Sequence, residues 1–380
     1  MKSILILLHC QSNTGYAIGP LERTFFNMAL ALCDGNTSRI HFAYPSMKNG
    51  PSPTLPAEFK QFSVIDATSV DRGHLATAEH YIRDHEIDTV FGFDQGVFLP
   101  IYRFFRRGGV KRFISYWGAP MSSVNVLPIR LLKRMEVLLR PSGPDHYIFE
   151  SNGMAEFAIK GRGIPRRRVS VVRLGVDHNQ FKPAPEDARY VYEAIGIPTS
   201  RRIFYYSGHM ERRKGVAVIM EASNILTKRR HANDWHVLLC GNTGDESLPY
   251  EMILSNEARE HVTFGGYRSD THMLQRGCYA ALIASTGWDS FPRSGLEMQA
   301  TGLPVVVSDL PGLREVIEHD FSGIVVKSGD AEALSQAMEK LLNDPDWTKK
   351  LGRQARTRIE ARFTLETQLT RLIAVVRSVL

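Results

Sequence analysis

The chain reads as an α/β protein built from two doubly wound, Rossmann-like parallel-sheet domains facing a central cleft, and three observations predict this. Its 380 residues exceed what one hydrophobic core usually serves. Short, continuous apolar runs recur along its whole length, separated by stretches with helical spacing. A polar, proline-containing stretch, "NQFKPAPEDARY", divides those runs into two series.

The first series is "ILILLH" (4–9), "IHFAY" (40–44), "TVFGF" (89–93), "RFISYW" (112–117) and "HYIFES" (146–151). The second is "IFYYSG" (203–208), "WHVLLCG" (235–241), "VTFGG" (262–266), "AALIAS" (280–285), "PVVVSD" (304–309) and "GIVVK" (323–327). Uninterrupted apolar strands are expected where helices cover both faces of a parallel sheet. Helices fall between them: Phe25, Met28, Ala29 and Leu32 form one stripe, and Leu334, Ala337, Met338 and Leu341 another. The expected division is 1–180 for an amino-terminal domain, 181–363 for a carboxyl-terminal domain, and a closing segment, 364–380.

With 43% hydrophobic and 23% charged residues the composition is that of a globular protein, and no apolar stretch reaches membrane-spanning length. The opening "MKSILILLHC" reads as a buried strand rather than a signal peptide, because its apolar run is short and lacks a small-residue cleavage site. Cys10, Cys33, Cys240 and Cys278 show neither metal-ligand nor CxxC spacing and read as reduced thiols. A cytoplasmic protein is expected.

The net charge of +7 is unevenly placed: residues 1–182 carry 23 basic against 15 acidic side chains, the remainder 24 against 25. Part of the excess lies in "LPIRLLKRMEVLLRPSG" (127–143), where Leu127, Leu131, Leu132, Met135, Leu138 and Leu139 keep near-helical spacing among Arg130, Lys133, Arg134 and Arg140. A basic amphipathic helix of this kind docks on an anionic membrane surface or a phosphorylated acceptor, or is an ordinary surface helix with its arginines in solvent. Nucleic acid is not expected as a partner, since no recognition motif or stacking platform accompanies the charge.

No GxGxxG follows the first strand. Gly15 and Gly19 in "CQSNTGYAIGPLERTFF" instead open a helix from a glycine loop, which brings amides close to a phosphate or sugar or serves the turn alone. In the second half, "TGWDSFPRSGLEMQATG" leaves a strand, begins a helix near Ser294 and ends it at Gly302. Asp289 falls in the loop, the amides of Ser294, Gly295 and Leu296 at the helix start, and Glu297 in its first turn: an anion site flanked by carboxylates. Taken alone, that spacing is also explained by dipole complement and turn capping. The segment "SGHMERRKGVAVIMEA" shifts the balance, because it places His209, Arg212, Arg213 and Lys214 at another strand's carboxyl end, where a cation stabilises a departing diphosphate.

Four stretches together resemble the retaining glycosyltransferases of the GT-B fold, the large group called family 4 or group 1: "VSVVRLGVDHNQFKP" (169–183), "YYSGHMERRKG", "VTFGGYRSD" (262–270) and "DSFPRSGLEMQATGLPVVVSDLPGLREVI". The last is similar to the group's E-x7-E signature, and "RFTLETQLTRLIAVVRSVL" to its closing helix, which crosses back to the first domain. The resemblance implies transfer of a sugar from a nucleotide-sugar donor, UDP- or GDP-linked, to a polysaccharide, lipid-linked or small-molecule acceptor hydroxyl, with retention and without an obligatory metal or cofactor. It assigns an acceptor-binding first domain and a donor-binding second domain.

By the same resemblance Glu297 meets the donor ribose, Asp289 the sugar hydroxyls, Lys214 the diphosphate, and Tyr267 and Arg268 the base edge. Gly208, Phe291 and Arg293 belong to the donor motifs; Gly15, Gly19 and Trp117 fall on the acceptor side. Three departures qualify it: His209 where an arginine is common, Asp289 for the first glutamate, and Trp117 where many relatives carry a histidine. Trp117 stacks on a sugar face or belongs to the core. The rival functions are a nucleotide-sugar epimerase of the same fold and a noncatalytic sugar-nucleotide-binding subunit. A peripheral position on the inner face of a membrane is expected if the acceptor is lipid-linked.

Overall fold

The structure, a computed structural model, describes residues 1–139 and 142–380, with the side chains of Tyr16 and Ala17 left aside. It divides into two units, Met1–Arg173 with Leu365–Leu380, and Leu174–Thr364.

The first unit is built on seven parallel strands: β1 (Ser3–Leu7), β2 (Ile40–Tyr44), β3 (Phe62–Val64), β4 (Ile87–Phe93), β5 (Arg112–Trp117), β6 (His146–Phe149) and β7 (Val169–Val171). Their spatial order is β3-β2-β1-β4-β5-β6-β7. The second unit has six: β8 (Arg202–Ser207), β9 (Trp235–Cys240), β10 (Val262–Phe264), β11 (Ala280–Ile283), β12 (Val305–Ser308) and β13 (Gly323–Val326), ordered β10-β9-β8-β11-β12-β13. In each sheet the order reverses beside the first strand, between β1 and β4 and between β8 and β11. These are the topological switch points at which open α/β sheets receive ligands.

Registers are parallel throughout, as in Ile4↔Ile40 and Leu7↔Ala43 for β1 with β2, and Val305↔Gly323 for β12 with β13. β1, β2, β9, β11 and β12 are buried at every residue, which explains their predominantly apolar sequences: both faces are covered, and the few polar side chains among them, Ser3, His41, His236 and Ser308, are buried too. β3 and β7, three half-buried or exposed residues each, have no counterpart among the apolar runs of the sequence.

Six helices carry or brace the sites: α1 (Gly15–Leu32), α2 (Leu127–Leu138), α3 (Val216–Arg229), α4 (Arg293–Ala300), α5 (Ala331–Asn343) and α6 (Leu365–Val379). The α1 stripe of Phe25, Met28 and Ala29 is fully buried, with Phe25 ringed by Phe91, Phe93 and Tyr116 at centroid distances of 5.0, 5.9 and 5.2 Å. In the second unit, Leu334, Ala337, Met338 and Leu341 of α5 join Val216, Ile219 and Leu226 of α3 in one core around Trp235. Burying each such large apolar side chain contributes about 1.5–3 kcal/mol. α6 packs against α1 in the first unit, where Arg377 donates to the Ala31 carbonyl. Among the described residues no helix is long and apolar enough to cross a membrane.

Candidate functional site

At the switch point of the second sheet, the loops leaving β8 and β11 are sewn together along their backbones. After β8 the chain passes Gly208, turns through a 3₁₀ segment at Arg212–Lys214, and enters α3 from Gly215, whose φ is 73°. The Arg213 carbonyl accepts the amides of Thr286 (2.7 Å) and Gly287 (3.2 Å) from the other loop. A Cβ on Gly215 would lie 1.8 Å from the Ala284 carbonyl oxygen, so only glycine admits this approach. The same loop is held from behind, where Tyr206 and Tyr250 hydroxyls donate to the carbonyls of His209 (2.8 Å) and Met210 (2.5 Å).

This seam brings Lys214 and Asp289 together. The ammonium Nζ donates to Asp289 Oδ2 at 2.9 Å, and the Ser285 hydroxyl donates to the same oxygen at 2.9 Å. The pair is sheltered, with 18% of the lysine side chain and 6% of the aspartate exposed. Two residues expected to meet different parts of a ligand thus form one unit, and the aspartate holds the lysine's head at the carboxyl ends of β8 and β11. Gly312 supports the arrangement from the next turn: a Cβ there would come within 2.1 Å of the Asp289 and Ser290 carbonyl oxygens.

The other cations divide. Arg213 is spent within the fold, donating to Glu211 (2.7 Å) and to the Trp288 carbonyl (3.1 Å) and lying 4.0 Å above the Trp288 ring. Its guanidinium is thus committed to its own loop and to Trp288. Arg212 and His209 are exposed, and neither side chain has a hydrogen bond or ion pair among the described residues. They are the basic groups of this loop still open to an anion.

α4 begins at Arg293, one residue earlier than expected, behind an N-cap proline, Pro292, that offers no side-chain acceptor. Glu297 therefore lies beyond the first turn, which contains no acidic residue, and the capping explanation for the two carboxylates falls away: Glu297 is too far along, and Asp289 points to Lys214. Glu297 is buried, 4% exposed, as are Leu296 and Gly295. At Gly295 a Cβ would press on Val316 and Ile283 at 2.9 and 3.0 Å, so glycine lets the helix start sit close on the sheet. Phe291, placed by the sequence in the donor motif, is fully buried against Phe363, at 5.5 Å between centroids. Arg293 donates to the Gly175 carbonyl at 3.1 Å, and its Nη2 is buried without a hydrogen-bond partner among the described residues.

Beyond β10, the Gly266 amide donates to Asn242 and its carbonyl accepts from Gly241, fixing the turn before Tyr267. The Tyr267 ring is 63% exposed. Arg268 is clamped by Asp270, which also accepts from the Tyr190 hydroxyl at 2.7 Å. The Arg268 guanidinium holds the Asp270 carboxyl down at about 2.

In the first unit, Gly15 opens α1 with φ 66° and free space around it, whereas Gly19 sits a turn inside the helix, where a Cβ would lie 2.7 Å from the Thr54 methyl. Gly19 is thus a packing glycine. The Trp117 indole N–H donates to the Ser115 hydroxyl at 2.8 Å, and its ring packs on the core around Tyr147 and Phe149. The ring is half-buried, so one part of it rests on that core and the rest is open to solvent.

Sequence reasoning misses His9 and Asp94, which lie beyond the ends of β1 and β4 at the first switch point, 4.0 Å apart. Asp94 has φ 51° and accepts the Gly118 amide at 2.9 Å. Burial raises its carboxyl above the ordinary carboxylate range, against the pull of His9. Asp94 shares the left-handed region with Asn13, Asp34, Glu86 and Asp320; what sets it apart is its buried carboxyl beside a histidine at the switch point. Its sequence signal is an aspartate directly after the run "TVFGF".

Residues 192–358 match the family of glycosyl transferases group 1. A D-inositol 3-phosphate glycosyltransferase of Corynebacterium urealyticum is 30% identical over 220 residues, covering 56% of this chain and 52% of the relative; the chain spans about half the length of the relatives it matches in this way. Among solved structures, a glycosyltransferase from Rickettsia africae superposes with a TM-score of 0.77 at 18% identity, covering 100% of this chain and 98% of the other. The Anabaena protein Alr3699/HepE in complex with UDP-glucose does so with a TM-score of 0.75 at 18% identity, covering 99% and 100%. These likenesses establish the fold, GT-B, for the whole chain.

Proposed function

We propose that this chain, whose residues 192–358 match the glycosyl transferases of group 1, moves a sugar from a nucleotide-diphosphate donor to an acceptor hydroxyl with retention at the anomeric carbon. The observation that carries the reading is the Lys214–Asp289 pair at the second switch point, 2.9 Å apart and beside the start of α4. A lysine at this place supplies the charge that a departing diphosphate needs, and the pair's carboxylate is the natural acceptor for sugar hydroxyls.

In this reading Lys214 meets the diphosphate together with Arg212, His209 and the amides at the start of α4. Asp289 accepts from hydroxyls of the transferred sugar, Glu297 from the ribose, and the exposed Tyr267 ring stacks on the base beside Arg268. The bond from the anomeric carbon to phosphate oxygen breaks with its electron pair moving to the phosphate. The acceptor oxygen bonds the same face, and its proton passes to the departing phosphate oxygen, so no protein base is required. Charge on the leaving group is met by protein cations, and no metal is assigned a step.

A uridine donor is favoured by the UDP-glucose bound to the Anabaena protein of the same fold. The acceptor belongs to the first unit, where His9 and Asp94 occupy the switch point; a polysaccharide, a lipid-linked glycan and a small molecule all offer the required hydroxyl. The four cysteines are free, in keeping with a cytoplasmic site of action.

A thermal-shift screen against UDP-, GDP-, ADP- and TDP-sugars tests the proposal. A donor at a hundredfold excess over its dissociation constant adds about 2.7 kcal/mol of apparent stability. One nucleotide class is expected to shift the wild type, with the shift largely lost in Lys214→Ala. Turnover of that donor is expected to fall at least about 100-fold in Glu297→Ala. Silence toward every nucleotide sugar sinks the reading.

A further inference from the structure

Helix α2 stands in its unit the opposite way round from an ordinary amphipathic surface helix. Only Val137 is buried. Arg130, Lys133 and Glu136 are half-buried toward the body of the unit, while the apolar stripe faces outward: Leu131 is 53% exposed, Leu132 67%, Met135 52% and Leu139 73%. Leu127 and Leu138 extend the stripe, and Val124 and Val126 continue it ahead of the helix. Contiguous exposed leucines on this scale mark a surface made to be covered.

Beneath one edge of the stripe lies a notch of about 240 Å³ lined by Arg130, Leu131, Arg134, Ile159, Ile164 and Arg166, with Gly163 at its floor. Gly163 has φ 80°, and a Cβ there would strike the Arg134 backbone at 2.6 Å, so the glycine draws the helix against the segment that carries Arg166. Arg166 is paired with Glu156 at 2.5 Å. The side chains of Arg130 and Arg134 have no hydrogen bond or ion pair among the described residues. The surrounding acids are few: Glu136 serves Lys133 and Arg162, and Glu156 serves Lys160 and Arg166. Arg140, counted with this helix from the sequence, lies outside the described residues.

We propose that the outward face of α2 docks the protein on an anionic phospholipid bilayer, with the stripe entering the headgroup boundary and a lipid phosphate seated between Arg130 and Arg134 in the notch. An apolar strip edged by arginines matches the layered chemistry of such a surface, where hydrocarbon lies just below negative phosphates. A second copy of the chain fits less well. Pairing two such faces across a twofold axis brings Arg130 and Arg134 of both copies into one contact, while the neighbouring Glu136 and Glu156 are already engaged by Lys133, Arg162, Lys160 and Arg166. The inference stands apart from glycosyl transfer, since vesicle binding is measured without donor or acceptor.

The test is co-sedimentation of the full chain with vesicles of phosphatidylcholine alone and with about one-third phosphatidylglycerol. Binding to the anionic vesicles only, weakened by salt, is expected. Arg130→Ala with Arg134→Ala should weaken it about 30-fold, the worth of two arginines at an anionic surface. Leu131→Ser with Met135→Ser should reduce it more than about 10-fold at any salt; melting curves of each variant report its folding. Equal affinity for neutral vesicles overturns the proposal, as does undiminished binding by the arginine variant. Absence of vesicle binding, with self-association that Leu131→Ser and Met135→Ser abolish, overturns it in favour of a second copy.

Discussion

Replacing Asp289 by alanine separates what the Lys214–Asp289 pair does for the fold from what it does for a ligand. Breaking a fully buried ion pair by removing one partner costs about 3–5 kcal/mol, whereas an exposed pair is worth about 0–1. With 6% of the aspartate and 18% of the lysine side chain exposed, this pair lies nearer the buried case, at about 2–3 kcal/mol. The Ser285 hydroxyl loses its acceptor as well, which adds about 1 kcal/mol. Asp289→Ala should therefore lower the carboxyl-terminal unit's stability by about 3–4 kcal/mol, or roughly 6–16 °C in melting temperature for a domain of this size. Urea unfolding followed by tryptophan fluorescence reads that unit chiefly, since Trp235, Trp288 and Trp347 lie in it. The double variant Lys214→Ala/Asp289→Ala should be about 2 kcal/mol more stable than the two single losses added together, because it leaves no charge stranded. Ligand binding should split the other way. Diphosphate contact requires Lys214 to exchange the aspartate for phosphate oxygens, so Asp289→Ala should bind the free nucleoside diphosphate as well as wild type or better while losing the extra affinity for the sugar-bearing donor. Lys214→Ala should lose both. Additive stabilities, or equal weakening of the free nucleotide by the two single variants, would refute the reasoning.

Gly215→Ala should unfold the carboxyl-terminal unit or lower its stability by more than about 3 kcal/mol, because a left-handed backbone and a 1.8 Å approach to the Ala284 carbonyl act together. Gly266→Ala, at a similar φ of 72° with open space around it, should cost only about 1–2 kcal/mol, and paired melting curves check the contrast. Asp94→Asn should stabilise the amino-terminal unit at neutral pH by about 1–2 kcal/mol, since asparagine keeps the acceptor for Gly118, tolerates φ 51° and carries no buried charge. The sign comes from the raised carboxyl: the folded state holds this proton more tightly than the unfolded one. The wild type therefore loses stability as pH rises from the ordinary carboxylate value of about 3.9 through the folded-state value. Unfolding curves of the two proteins at acid and neutral pH should converge on the acid side; a constant gap would exclude the buried charge as the cause.

Much of this architecture is written in the sequence at short range. Each of the eleven apolar runs overlaps a strand, because strands that are mostly covered on both faces keep few polar positions to obscure them. β3 and β7 have no counterpart among those runs: each is three partly exposed residues at a sheet edge, and β10, equally short and at an edge, is located by the run "VTFGG" alone. The basic loop and the acidic loop can each be located, but not their contact: Lys214 and Asp289 are 75 positions apart, and nothing in the intervening chain encodes which side chain meets which. The same limit applies to Arg213, Phe291 and Trp117, whose residue types suit a ligand but whose partners, Trp288, Phe363 and Ser115, are set by tertiary packing. α2 misleads for a different reason. Its stripe is plain in the spacing, and the ordinary rule turns stripes inward, yet periodicity carries no information about which way a helix is rolled.

The two sheets share more than their strand order. In each, the loops on either side of the switch point contribute one basic side chain and one aspartate: His9 with Asp94 after β1 and β4, Lys214 with Asp289 after β8 and β11. The topology explains why. At the switch point neighbouring strands send their connections to opposite faces of the sheet, so the loop roots diverge and leave polar backbone and side chains lining a gap that neither helix layer fills. A carboxylate placed there must be paired or raised in pKa, and the two sites take different courses. Lys214 approaches to hydrogen-bonding distance of Asp289, while His9 stays 4.0 Å from Asp94, whose carboxyl is left raised by burial. The second site is thus built around a cation fixed by its aspartate, and the first around a carboxyl that burial, outweighing the pull of a more distant histidine, holds above the ordinary carboxylate range.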